Sequence, residues 1–394
     1  MGVGTAAAKG LRLLAHHDLA GSGDGMQVMR EGDALYVGHS GTSRMGTSIL
    51  DVADPLRPRL VDQWRAPDNT HTHKVQVAGG LLLVNHERFP YRPAGPLGPH
   101  SAGLAVYDLK DPFAPEQIAF WESGGKGVHR IVWEGGRYAH MSAVPDGFRD
   151  RIWVAVDLSD PSRPVEAGRW WWPGQWEAGG EHPDWPDGRR YAAHHALTSG
   201  DVAYLGFDDA NLVVLDVSDM TSPKMIGRCR WGGGATHTCL PLPGRDLLVV
   251  TDEQQHDGPR APERRIHLVD VADPAVPSYR GAFPHPDGPY DDLPMRFGPH
   301  NLHENRQRSY RSERLIFATY FNAGVRVYDL EDPDDPREIA HWVSETPPGQ
   351  QAPQANDLFV DEGGLIWVTD RTHGGLFVLE PEPALAALME EARA

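Results

Sequence analysis

Twenty histidines stand in this 394-residue chain, and five of them share one pattern. His73, His129, His194, His237 and His300 each open a short aliphatic stretch that runs into a turn, usually marked by glycine. Asn356 holds the same place in a sixth stretch and Met26 in another. Neutral imidazoles brought together by rigid elements are ligands for Fe, Mn, Zn, Cu or Ni. Five exceed what most ions need, so three or four are expected to ligate one metal and the rest to meet substrate or water. Just beyond the second stretch of each unit come His86-Glu87, Asp208-Asp209, Asp252-Glu253, Asn322 and Asp370. A ligating imidazole usually donates its other N–H to a carboxylate or carbonyl. Glu87, Glu253, Glu304 and Asp209 are candidates for that role, with Glu87 and Glu253 also candidate general bases. His195 follows His194 and is expected to turn to the other side of its strand, although a slip of one residue would exchange the two. His71 and His303 lie near the register. His16, His17, His182, His256, His267, His285 and His341 read as surface positions.

What positions these residues is a repeat. Ile49-Leu50-Asp51-Val52-Ala53-Asp54-Pro55 recurs around Asp108, Asp157, Asp216, Asp270 and Asp329, six copies spaced by 49 to 59 residues. Each copy reads as a strand, an Asp-Pro turn and a strand ending in Trp or Phe. Aspartate caps tight turns, and proline fixes φ and stops the ladder. Two further strands precede each copy, giving four per unit, which is a propeller blade. A seventh unit, Asn356 to Leu379, lacks its fourth strand. The segment 11–15 has the pattern of the missing strand and is expected to complete it. The expected fold is all-β: one seven-bladed β-propeller over 1–383 with four-stranded blades, the ring closed by the N-terminal strand, and a short C-terminal helix over 384–394. The Asp-x-x-Asp-Pro-x-x-Pro turn after an aliphatic strand resembles the LVIVD-repeat β-propellers along nearly the whole chain. That resemblance implies the fold and little about activity. The chain departs from the pattern in its long aromatic-rich insertions and its extra histidines.

In a propeller the first strands line the channel, so the register would ring one mouth of it. Long connections at 173–191, 284–299 and 344–354, and the insertion 88–102, carry Trp176, Trp185, Tyr290, Phe297, Phe89 and Tyr91. Loops of this length are often functional. These are expected to form an aromatic lid over a small apolar or aromatic substrate, with Trp176, Phe297, His195, His86 and Asn356 near it.

The net charge of −18 argues against nucleic acid or anionic membrane as partner. No stretch is long and apolar enough to span a bilayer, and the first ten residues lack a secretory pattern. Two cysteines, Cys229 and Cys239, form no metal or disulfide motif and suit the cytoplasm. Dinucleotide, P-loop and nucleophile-elbow signatures are absent. The expectation is therefore a mononuclear His-ligated metal enzyme, iron first, of the non-haem oxidoreductase or oxygenase kind, monomeric or a loop-mediated dimer. Four-histidine iron on a seven-bladed propeller is also the arrangement of the carotenoid-cleavage oxygenases, a likeness of fold and ligand type without sequence match. The alternatives are a metal-dependent hydrolase, lyase or isomerase, and a non-catalytic binding propeller.

Overall fold

The computed structural model describes residues 3–41, 44–89, 98–257 and 264–394. The chain is built almost wholly of antiparallel strands arranged as a β-propeller. Gly25–Glu31, Ala34–His39, Met45–Asp51 and Arg59–Arg65 form the first sheet in simple meander order. The same order recurs in sheets whose first strands are Val75–Ala78, Gly127–Val132, Ala196–Ser199 and Thr236–Leu242. The second and third of these sheets are joined by one pairing, Gly127 with Glu87, into a nine-stranded sheet.

The Asp-Pro turns form as their chemistry dictates. In each repeat the first aspartate accepts from the backbone N–H two residues on, as Asp51 does from Ala53 and Asp157 from Ser159. The second repeats the motif, Asp54 accepting from Leu56 and Asp160 from Ser162. These paired Asx turns are what a helix or a straight ladder cannot offer the aspartate, so the chain reverses here. The aromatic that ends each fourth strand packs on the next sheet. Trp64 stacks on Tyr107 at 4.8 Å, Phe283 meets Tyr328 at 5.3 Å and Trp342 meets Phe377 at 4.8 Å. The core accordingly sits between sheets: Val37 and Leu50 of the first sheet share one cluster with Val75, Leu82 and Ala105 of the second. Each such aliphatic side chain contributes about 1.5–3 kcal/mol through burial.

The N-terminal segment does more than the sequence suggests. Leu11–His17 pairs with Leu376–Pro381, from Leu11 opposite Pro381 to His17 opposite Leu376. Before it, Thr5–Lys9 adds to the outer strand Arg337–Ser344 of the neighbouring sheet, with Trp342 Nε1 donating to Thr5 Oγ1 at 2.9 Å. Gly10, at φ 71°, makes the step between the two sheets. The C-terminal helix spans Pro383–Glu391 and buries Leu385 and Met389 against the core. Tyr310 Oη donates to Met389 O at 2.8 Å. Both cysteines are free and buried. No helix among the described residues is long and apolar enough to cross a membrane.

Candidate metal centre

First strands lie side by side and are tied across sheets by side chains. Val75 N–H donates to Gln27 Oε1 (3.0 Å), Trp133 N–H to Gln76 Oε1 (3.1 Å) and Val28 N–H to Asp357 Oδ2 (3.0 Å). The histidine register falls at a β-bulge at the head of these strands. Pairing slips at Met26, at His129, at His237-Thr238 and at Asn356. A bulge bends its strand and re-aims side chains, which turns the register residue inward.

The bulge is seated by the preceding sheet. A Cβ added at Gly38 would lie 2.6 Å from His73 O, and one at Gly206 would lie 2.6 Å from His237 O. Only glycine permits that approach. Elsewhere threonine does the same work by hydrogen bond: Thr251 Oγ1 donates to His300 O (2.7 Å) and Thr319 Oγ1 to Asn356 O (2.9 Å).

The five histidines form one continuous chain of rings. Centroid distances are 5.0 Å from His73 to His129, 5.1 Å to His194, 3.8 Å on to His237 and 4.4 Å to His300. His129 Nε2 and His194 Nε2 stand 3.2 Å apart. His71 joins the chain, stacked on His73 at 3.9 Å. All but the half-buried His129 are buried. Burial lowers His73, His194, His237 and His300 well below the ordinary imidazole range, helped by neighbouring cations and imidazoles. Burial also takes His129 down to about 4, against the opposing pull of Glu87. The rings are therefore neutral, the state in which imidazole binds metal. His73 Nε2 and His194 Nδ1 are buried and make no hydrogen bond among the described residues. Such an orphaned polar atom asks for an explanation, and a bound ion would supply one.

The outer contacts partly match expectation. Glu87 Oε2 lies 2.9 Å from His129 Nδ1 and 3.7 Å from His71 Nδ1. Burial would raise the Glu87 carboxyl, but the two imidazoles outweigh that and hold it well below the usual range. Glu253 Oε1 lies 3.6 Å from His300 Nε2 and accepts from Arg296 at 2.9 Å. Asn356 enters through its backbone: its carbonyl faces His300 Nδ1 at 2.6 Å, while its amide donates to Met26 O.

His195 does not turn away from its neighbour's side. Its Nε2 is 3.0 Å from Glu304 Oε1, two sheets on, so it points inward one layer below the ring. A bulge, unlike a regular strand, does not send successive side chains to opposite faces. Glu304 also accepts from Arg130, reaching from a distant sheet (3.0 Å), and from Arg306, which donates to Trp133 O (2.8 Å). This buried Arg–Glu–Arg network with His195 ties together three of the repeat units. Lys74 is buried in the same layer, its Nζ 3.3 Å from Met26 O.

Several expected residues lie elsewhere. His86 points away from Glu87, to Ser101 Oγ (2.8 Å) and the Phe120 ring, because alternate residues of Leu81–Arg88 face opposite sides. Asp209 caps Arg190 N–H (2.8 Å) at the surface; its neighbour Asp208 is the buried one, paired with Arg151 and Arg190. Trp176 is exposed and packs on Trp171, and Trp185 stacks on Tyr191 at 5.0 Å. Phe297 packs on Tyr320. These three aromatics pack on Trp171, Tyr191 and Tyr320 rather than on the register histidines, whereas Phe89, another of the expected lid aromatics, meets His71 edge-on at 5.6 Å. Tyr91 lies outside the described residues. His303 is a structural tie, with Val360 N–H donating to its Nδ1. His267, expected at the surface, is buried against Asp252 at 3.0 Å.

Sequence reasoning missed Phe321 and Arg371. Phe321 sits 4.8 Å from His300 at φ 42°, an uncommon backbone for a bulky residue. Arg296 and Arg371 lie over its ring at 5.7 and 5.6 Å. No motif marks these residues. A further group, Asp24–His39–Ser48 (2.8 and 2.6 Å), has the letters of a hydrolase triad. Ser48 and His39 are fully buried, and Gln63 also binds Ser48; the group clamps strands of one sheet.

The buried neutral histidines set an acid limit on stability. Burial lowers His140, His195 and His303 to about 4, against 6.5 for a free imidazole. Between these values the unfolded chain takes up protons that the folded chain refuses, so stability falls as pH falls from 6.5 to 4. Each such group contributes up to about 1.4 kcal/mol per pH unit. Thermal midpoints measured from pH 7.5 to 4.5 should drop steeply below 6.5; a flat profile would contradict the burial of these rings in neutral form.

Comparison with known proteins agrees with the fold. The LVIVD repeat family model matches residues 147–170 and 193–230, less of the chain than the repeat itself covers. The N-terminal domain of Nup159 superposes with a TM-score of 0.55 at 9% identity, over 96% of this chain and 97% of that one. The computationally designed Ika8 protein gives 0.52 at 9% identity, over 93% and 98%. At such identity the likeness is of fold alone. No curated protein matches the sequence. The chain is thus a β-propeller that carries LVIVD repeats.

Proposed function

We propose that this protein is a metal-dependent enzyme on a seven-bladed propeller, with a transition metal, iron first, held by the histidine ring. The blade count is supported by six repeats of the paired-aspartate turn, five of them with Asp-Pro, plus the strands of 355–381, which pair with Leu11–His17. Closure is supported by the Val28–Asp357 bond between the first and last units. The observation that carries the metal reading is the run of adjoining neutral imidazoles, with His73 Nε2 and His194 Nδ1 buried and without a hydrogen-bond partner among the described residues.

A bound iron would supply oxygen activation, and a redox-inert ion Lewis-acid polarisation. The chain's own residues set the rest. Glu87 orients His129 and, held ionised, suits an orienting or ligating role better than that of a general base. Phe321 and Phe89 offer aromatic faces beside the ring. Arg371, whose Nη1 makes no hydrogen bond among the described residues and stays 3.9 Å from Glu253, offers an anchor for an anionic group. A small aromatic or apolar acid fits this set. The two buried thiols suit a reducing cytoplasm, and the charge of −18 disfavours nucleic acid and anionic membrane as partners. The test is oxygen uptake by Fe(II)-loaded protein across a panel of aromatic and aliphatic carboxylates. Uptake that needs both metal and acid supports the oxidative reading. Metal bound without uptake, together with turnover of ester or hydroxy-acid substrates, would replace it with Lewis-acid chemistry.

A further inference from the structure

Resting on the reading that the ring binds metal, we propose that it holds two ions in two separate sites, not one. The donors gather at two places and share no residue. His71, His73 and Glu87 form one set and His237, Glu253 and His300 the other, the ligand atoms of each set lying within 4.8 Å of one another. Among the described residues no such set takes donors from both. His129 and His194 stand between them, His129 beside the first set and His194 beside the second, with their Nε2 atoms 3.2 Å apart. Each site therefore has two imidazoles, one carboxylate and one flanking imidazole. Two histidines and a carboxylate with positions left open is a donor set suited to Fe(II). Burial keeps the imidazoles of both sets neutral.

The two sites differ in strength. Among the described residues the ion pairs of Glu87 are with imidazoles, those of His71 and His129. Glu253 shares its own with Arg296 at 2.9 Å and has Arg371 at 3.9 Å, so two guanidiniums compete with a cation there. The Glu253 site is the weaker and fills second.

The experiment is anaerobic titration of the untagged, metal-free full chain with Co(II) alone, followed by its visible spectrum and by elemental analysis after desalting. Two equivalents per chain, bound in two steps separated by at least about tenfold in Kd, are expected; a tenfold gap is 1.4 kcal/mol. Glu253→Gln should remove the weaker step and keep the tighter one, and Glu87→Gln the reverse. Saturation at one equivalent in the unaltered chain overturns the two-site proposal and leaves the metal reading standing. Loss of all binding in both single variants also overturns it, since that marks a shared ion. No binding in the unaltered chain overturns both. The unaltered chain gives its stoichiometry whether or not either variant folds.

Discussion

Replacing His73 and His237 together with alanine should empty the ring and abolish turnover while leaving the propeller folded. The pair takes one imidazole from each of the two donor groups, His73 from one and His237 from the other. Losing even an outer partner of a ligand typically weakens metal binding 10–100-fold, so loss of ligands from both groups should cost about 100-fold or more. The fold should survive because both side chains are neutral when buried, and removing a neutral ring leaves no charge behind. The strands that carry them are held by backbone contacts: His73 O against Gly38 and His237 O against Gly206. Circular dichroism and a thermal midpoint within a few degrees of the parent, with metal content near zero, is the expected result. Unchanged metal content would place the ion elsewhere.

The second large effect concerns stability. Glu304→Gln keeps the side chain's volume but removes the charge that Arg130, Arg306 and His195 share. Burial alone would raise the Glu304 carboxyl; Arg306 and His195, with Arg130, hold it well below its usual range instead. Removing one partner of a buried ion network costs about 3–5 kcal/mol, because the remaining charges stay buried. For a chain of 394 residues a thermal midpoint lower by about 5 °C follows. Adding Arg130→Met to Glu304→Gln should recover part of the loss, since it removes one stranded guanidinium. A Glu304→Gln midpoint within about a degree of the parent would show that this network is wet, its charges already solvated.

Much of the architecture was legible because its physics is local. Asp-Pro turns are decided by two aspartates and the N–H groups two residues on, so their letters alone mark the chain reversals. The pairing of residues 11–15 followed from counting strands in the last unit. The added strand Thr5–Lys9 did not, because a sixth unit with its strands already counted leaves no vacancy to predict. The histidine register was visible as spacing, but the bulge that aims it was not. That bulge depends on contacts with the preceding sheet, such as Gly206 against His237 O. The error on His195 has the same source, since strict alternation fails at a bulge. Phe321 and Arg371 reach the ring through loop backbone that no periodicity describes. The loop tryptophans were misjudged because aromatic side chains in a long connection find one another first, as Trp185 finds Tyr191.

The most direct test of the account is elemental analysis of the protein purified without a histidine tag, metal-replete, alongside the His73→Ala/His237→Ala variant. At least one equivalent of a transition metal in the parent, absent from the variant, is the predicted result. Less than about a tenth of an equivalent in the parent, after reconstitution with Fe(II), Co(II) and Zn(II) in turn, would contradict it, since a preorganised multidentate site binds far more tightly than that.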